Sequence, residues 1–269
     1  MTDLSQSELQ PPPRILAIAN QKGGVGKTTT TINLATALAA VRKRVLVVDL
    51  DPQGNASTGL GLHKADRQVN TYHLMIGEAD VPSTCLETDI PGLDAIPSGT
   101  DLAGAEIELV EFEDRLHRLK ASMSGHLAQY DYVLIDCPPA LGLLTVNALI
   151  AADAVLVPLQ CEFFALEGIS QLVRTINRVR NAYNPTLDIQ GIVLTMFDKR
   201  NNLSDSVESE VRDHFGEIVY ETVIPRNVRV SEAPSFGKPV LLYDTACAGS
   251  QAYIHLASEV LRREQTLAA

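Results

Sequence analysis

The chain has 269 residues, 45% of them hydrophobic, enough to bury the core of one large α/β domain. Its 33 acidic residues against 22 basic ones give a net charge of −11. That excludes a broadly basic nucleic-acid binder and confines any DNA contact to a local patch. With no Trp and 5% aromatic residues there is no stacking platform for single strands, and no apolar run reaches membrane-spanning length.

Residues 1–13 are polar and end in Pro11-Pro12-Pro13, which reads as a flexible tail with a stiff exit. The tail has no basic-then-apolar signal pattern. Residues 14–269 read as a single domain. Residues 15–19 are an apolar run suited to a buried parallel strand, and residues 30–39 are small and apolar, as in a packed helix. Between them stands Lys22-Gly23-Gly24-Val25-Gly26-Lys27-Thr28-Thr29. Strand, glycine-rich loop and helix are the setting of a phosphate-binding loop, in which backbone N–H groups converge on phosphate oxygens at a helix N-terminus. Lys27 then reaches the β- and γ-phosphates, and the Thr28 hydroxyl ligates Mg²⁺. The usual first glycine of such a loop is missing. Asn20 and Gln21 precede a second lysine, Lys22, five residues before Lys27.

Residues 44–51 read as a second buried strand ending in two carboxylates, Asp49 and Asp51, with Pro52 stopping it. Two apart on one strand, these carboxylates are expected on the same face, at the rim that carries the phosphate loop. Residues 71–76 and 102–124 have helical patterning, separated by a short apolar segment at 93–97. Residues 132–136 are another strand, ending in Asp136 before Pro138-Pro139. A carboxylate there can hold Mg²⁺, usually through water. Strands are also expected at 154–159 and 189–196, and helices at 166–183, 203–215 and 250–263. The segment 223–239, with three prolines and a glycine, reads as a structured loop. Strands alternating with helices predict an α/β fold, a doubly wound and mostly parallel sheet with its ligand loops at the carboxyl ends of the strands. The four cysteines are scattered and read as reduced, buried thiols.

The Lys-Gly-Gly-Val-Gly-Lys-Thr-Thr loop resembles the deviant Walker A loop of the ParA/MinD group of P-loop ATPases. Residues 49–57, 136–142, 160–168 and 225–234 are similar, in order, to further motifs of the ParA/Soj chromosome-partitioning branch. The resemblance covers roughly residues 14–263 and implies an Mg²⁺-dependent ATPase. It implies that Lys22 crosses a dimer interface to the partner's ATP, and that residues 22–29 bind the nucleotide. Asp51 would position the attacking water and Asp49 would support the metal shell, with Thr28 and Asp136. Pro225 and Asn227 would line the adenine. Arg200 and Arg229 would contact non-specific double-stranded DNA. The implied partners are a second copy of the chain, joined in an ATP-dependent homodimer, and a ParB-like centromere-binding protein, in a cytoplasmic, nucleoid-associated setting without stable membrane insertion. Two other readings stand beside this one. A MinD-like membrane-cycling ATPase needs a basic amphipathic C-terminal helix. An iron–sulfur carrier would have to use Cys85 and Cys137.

Overall fold

The computed structural model describes residues 11–162 and 165–268. The N-terminal tail up to residue 10, and Phe163 and Phe164 of the 160–168 motif, lie outside them. In chain order the elements are β1 (Arg14–Ile18), α1 (Lys27–Ala40), β2 (Val45–Asp49), α2 (Asn55–Gly59), α3 (Thr71–Ile76), α4 (Val81–Thr84), β3 (Leu86–Glu87), β4 (Leu93–Ile96), α5 (Leu102–Glu108) and α6 (Arg118–Met123). There follow β5 (Tyr132–Asp136), α7 (Leu143–Ala151), β6 (Ala154–Gln160), α8 (Ala165–Ala182), β7 (Asp188–Phe197), α9 (Asn202–Phe215), β8 (Val219–Pro225), α10 (Val228–Glu232), α11 (Val240–Tyr243) and α12 (Ala248–Ala268).

The strands form one eight-stranded sheet in the order β3-β4-β2-β5-β1-β6-β7-β8, with every pair parallel except the short edge pair β3–β4. The strands are short, apolar and closed by turn residues because both faces are covered. Alternate residues of one strand enter opposite cores. Ala17 and Ala19 join one, and Leu16 and Ile18 the other. The first core packs under α3, α5, α6, α7 and α8, through residues such as Leu74, Leu119, Leu149 and Leu172. The second packs under α1 and α12, through Leu34, Leu38, Tyr253 and Leu256.

Central β1 lies between β5 and β6, so the loop leaving it opens at the carboxyl edge beside the end of β5. In register, Ile18 stands beside Asp136, and Asp136 beside Asp49. The expected fold class is the observed one.

Several elements differ from expectation. Residues 102–124 do not form one helix. They are α5, a 3₁₀ turn at Leu109–Glu111, and α6. The 223–239 segment is not a loop but the end of β8, then α10 and a further 3₁₀ turn at Ala233–Phe236. Its prolines stand at a strand end (Pro225) and in the first turn of that 3₁₀ helix (Pro234), where a missing N–H costs little. Helix α7 was not foreseen, because it is apolar almost throughout and carries no helical alternation. Six of its nine residues are buried hydrophobics or threonine, and Asn147 is buried as well. The last helix is longer than expected at both ends.

Candidate nucleotide site

The glycine-rich loop turns sharply, with φ of 75° at Gly24 and 90° at Gly26, a backbone region that side chains rarely enter. A Cβ on Gly23 or Gly24 would meet nothing within 4 Å, so the loop faces open space. From behind it is held by residues far along the chain. The Thr195 hydroxyl donates to the Val25 carbonyl at 2.8 Å. Asn20 Nδ2 donates to the Pro158 carbonyl at 2.7 Å, while Asn20 Oδ1 accepts from the Lys22 N–H at 3.1 Å. Asn20, where the usual pattern gives little guidance, is therefore the clamp between β1 and β6. The first turn of α1 adds N–H groups that the helix cannot satisfy itself.

Lys27 is 7% exposed. Its Nζ donates to the Lys22 carbonyl at 3.1 Å, and it makes no ion pair among the described residues. Burial pushes its pKa down, against the opposing pull of Asp136 and Asp51. The Thr28 hydroxyl donates to Asp136 Oδ2 at 2.7 Å, and the Thr31 hydroxyl to Oδ1 at 3.1 Å. Asp136 has no solvent exposure. Burial first, then neighbouring Asp49, pushes its carboxyl well above the usual carboxylate range.

In front of the loop lies a cleft of about 610 Å³, lined among others by Gly24, Lys27, Thr28, Asp51, Pro138 and Met196. Met196, the penultimate residue of β7, has φ of 51°, a left-handed conformation unusual for a residue with a side chain. Neither it nor Glu106, which reaches the cleft from α5, was expected from sequence.

Asp49 and Asp51 do not share a strand face. β2 ends at Asp49, and Asp51 lies in the turn beyond it, placed by the turn rather than by strand alternation. Asp49 is buried and spent on that turn. Its Oδ2 accepts from the Ser57 N–H at 2.8 Å and the Ser57 hydroxyl at 2.6 Å, and its Oδ1 from the Asp51 N–H at 3.2 Å. Asp51 Oδ1 accepts from the Gln53 N–H at 3.0 Å, and its side chain lines the cleft. Among the described residues no cluster of three or more His, Cys, Asp or Glu is arranged to hold a metal ion. A threonine hydroxyl beside one carboxylate suits a cation that keeps its waters and takes its remaining ligands from phosphate.

Lys22 does not line the cleft. Its ammonium pairs with the Glu162 carboxylate just past β6 of the same chain. Pro225, at the end of β8, and Asn227, which caps α10 by accepting from the Arg229 N–H at 2.8 Å, are not among the cleft's lining residues. Arg200 and Arg229 are exposed but engaged. Arg200 donates twice to Asp198, at 2.9 and 2.8 Å, and Arg229 pairs with Glu232 at 3.1 Å and Asp244 at 3.5 Å. Arg200, with Lys199 and Arg226, borders a groove beside β8, and Arg229 is not among that groove's lining residues.

Comparison with known proteins decides the family. The family described as an AAA domain matches residues 13–189. The chromosome partitioning protein ParA of Caulobacter vibrioides is 63% identical over 256 residues, covering 94% of this chain and 96% of that protein. The chain belongs to the ParA/Soj family of chromosome-partitioning ATPases. The sporulation initiation inhibitor protein Soj of Bacillus subtilis is 53% identical over 247 residues, covering 92% and 98% of the two chains. Among solved structures, cobyrinic acid a,c-diamide synthase of Mycobacterium smegmatis with bound ATP analog and magnesium superposes with a TM-score of 0.83 at 37% identity, over 94% of this chain and 96% of that one. The cell division ATPase MinD of Pyrococcus furiosus gives 0.77 at 26% identity, over 93% and 98%. As a ParA/Soj member the chain is an ATPase that uses ATP and Mg²⁺ and has a role in chromosome or plasmid partition.

The structure also places the residues of the two other readings. The apolar face of α12, with Tyr253, Leu256 and Val260, is buried in the core. Among the described residues no helix is long and apolar enough to cross a membrane. Cys137 is fully buried with its thiol donating to the Ile135 carbonyl at 3.7 Å, and Cys85 lies beside the Tyr130 hydroxyl.

Proposed function

We propose that the chain is an ATP-dependent DNA-segregation switch. Its ATP-bound form pairs with a second copy, the pair holds double-stranded DNA without regard to sequence, and a ParB-like centromere-binding partner stimulates hydrolysis and release. The observation that carries the nucleotide part is a nearly buried ammonium, Lys27, which makes no ion pair with a carboxylate among the described residues, beneath a glycine loop facing open space. A buried cation in that position calls for an anion.

The backbone of residues 22–29 and the first turn of α1 bind the phosphates, and Lys27 offsets their charge. Thr28 and Asp136 hold Mg²⁺, which when bound neutralises charge on the phosphate oxygens. Asp51, at the cleft wall, orients the attacking water. A carboxylate there contributes placement and charge more than full proton abstraction. Asp49 acts on the metal shell only indirectly, by fixing the turn that carries Asp51. Pro225 and Asn227 border the base beyond the phosphate cleft. Lys22 leaves Glu162 to reach the nucleotide of the second copy, which couples ATP binding to pairing. Arg200 and Arg229, doubled by pairing, contact DNA phosphates, which need no base readout. The setting is the nucleoid, and residues 14–269 act as one unit.

DNA retention measured with no nucleotide, with ADP and with ATP, each at two salt concentrations, tests this reading. Retention should require ATP and weaken with salt. Equal retention in all three states would exclude the switch.

A further inference from the structure

Arg67 is a buried arginine outside the site described above, and nothing in the phosphate chemistry uses it. It is 8% exposed and follows the 3₁₀ turn Lys64–Asp66. Its guanidinium spans the segment that follows Asp51. Nη1 donates to the Gly54 carbonyl at 3.2 Å, and Nη2 to the Thr58 hydroxyl at 2.9 Å and the Leu62 carbonyl at 2.5 Å. Both ends of α2 are therefore tied to one planar group. Gly54 adopts φ of 63° at the N-terminus of α2, and a Cβ there would lie 2.8 Å from Nη1 and 3.0 Å from the Ser98 carbonyl. The close approach of the guanidinium is built into the backbone.

This is a poor arrangement for stability alone. Arg67 makes no ion pair among the described residues, its Nε is buried without a partner, and so is the neighbouring Ser98 hydroxyl. Apolar residues of similar volume commonly replace buried charges without loss of stability. What the arginine supplies, and an apolar residue cannot, is a fixed fork on three acceptors of one short segment. That segment is pinned from the other side by Asp49 through Ser57, whose hydroxyl also accepts from the Ser98 N–H at 2.9 Å. Asp51 lies between the two anchors, at the cleft.

We infer that Arg67 is a positioning residue for the ATPase reaction: by holding Gly54, Thr58 and Leu62 it fixes the turn that aims Asp51 into the phosphate cleft. The inference rests on the reading of Asp51 as the carboxylate that orients water. Displacing a group by about 1 Å can cost about 10²-fold in rate while ground-state binding, carried here by residues 22–29, is left in place.

The test compares Arg67→Lys, Arg67→Ala and Asp51→Ala in the full chain. The readouts are kcat for ATP, affinity for a fluorescent ATP analogue, melting temperature, and rescue by added guanidinium ion at concentrations that leave the wild type folded. Arg67→Lys should lower kcat by at least about tenfold with nucleotide affinity within about threefold, because a single ammonium cannot span the three acceptors. Guanidinium should restore part of the turnover of Arg67→Ala and none of Asp51→Ala. Arg67→Lys turning over like the wild type would overturn the inference. So would loss of affinity in step with turnover, which marks general loosening. If Asp51→Ala keeps wild-type turnover, the reading of Asp51 fails. If only the Arg67 variants do, that reading stands and the inference alone falls.

Discussion

Asp49 and Asp136 stand side by side at the carboxyl ends of β2 and β5, two carboxyl groups of adjacent strands with almost no solvent exposure. Burial pushes both above the usual carboxylate range; Asp49 raises Asp136 further, and Asp51 adds to the rise at Asp49. The two differ in what opposes this. Asp49 is held by the Ser57 and Asp51 N–H groups and the Ser57 hydroxyl, whereas Asp136, among the described residues, has only the Thr28 and Thr31 hydroxyls. Asp136 is thus the group that most needs a cation.

The pH dependence of the nucleotide-free protein follows. A carboxyl whose pKa is higher folded than unfolded leaves the native state holding more protons, so its contribution is complete below the unfolded value, about 4, and is lost as pH rises through the folded value. Melting temperature, followed by circular dichroism without nucleotide, should fall from pH 5 toward pH 8. Asp136→Asn, which keeps one acceptor oxygen toward the two threonine hydroxyls, turns the other position into an N–H donor and cannot ionise, should flatten this trend, and an unchanged trend would locate the proton elsewhere.

Asp51→Ala should leave ATP affinity within about threefold and lower turnover by about 10²-fold or more, since it removes orientation of the nucleophile rather than phosphate contacts. The ATP-bound pair should then persist in sedimentation experiments. Turnover at the wild-type rate would remove Asp51 from the reaction.

The two loop lysines should separate cleanly. Lys27, buried in the cleft wall, is expected to be needed for nucleotide binding itself, with Lys27→Ala losing at least about tenfold in calorimetric ATP affinity. Lys22, half-exposed and paired with Glu162, should affect pairing more than binding. Lys22→Ala should bind ATP and remain monomeric. Glu162→Gln, which lets go of the lysine, should pair at lower protein concentration than the wild type. A Lys22→Ala protein that dimerises normally with ATP would refute a role across the interface.

DNA contact must overcome both the net charge of −11 and the carboxylates already on the two arginines. Two arginines per subunit, doubled by pairing, allow about four phosphate contacts, so the log–log salt slope should be about −3 to −4. Arg200→Glu/Arg229→Glu should abolish retention on DNA while ATP-dependent pairs still form. Asp198→Asn, which removes the competing negative charge and one of the two acceptor oxygens on Arg200, should strengthen it. Full binding by the double charge reversal would place the DNA surface elsewhere.

The residues that sequence alone determined are those whose chemistry is local. A buried strand, a glycine turn and a helix start are written into consecutive residues, so residues 22–29 could be read as a phosphate loop, and Asp136 as the carboxylate at a strand end. Parallel topology followed from the alternation of elements. Tertiary structure decided everything that depends on which strand ends become neighbours. Asn20 clamps Pro158, Thr195 holds Val25, Lys22 meets Glu162, and Arg67 grips the turn after Asp51. The first three join residues more than a hundred positions apart, and the last spans a turn whose left-handed glycine sets no periodic pattern. The same limit hid β8, which ends in a proline of a segment that signals a loop until its pairing with β7 is known, and α7, whose almost complete run of apolar residues erases the alternation that marks a helix. It also hid the role of Asp49. Its spacing from Asp51 suggested two carboxylates on one face, but β2 stops at Asp49, and the backbone turn, held by hydrogen bonds that exist only in the folded chain, sends one carboxylate inward and leaves the other at the cleft.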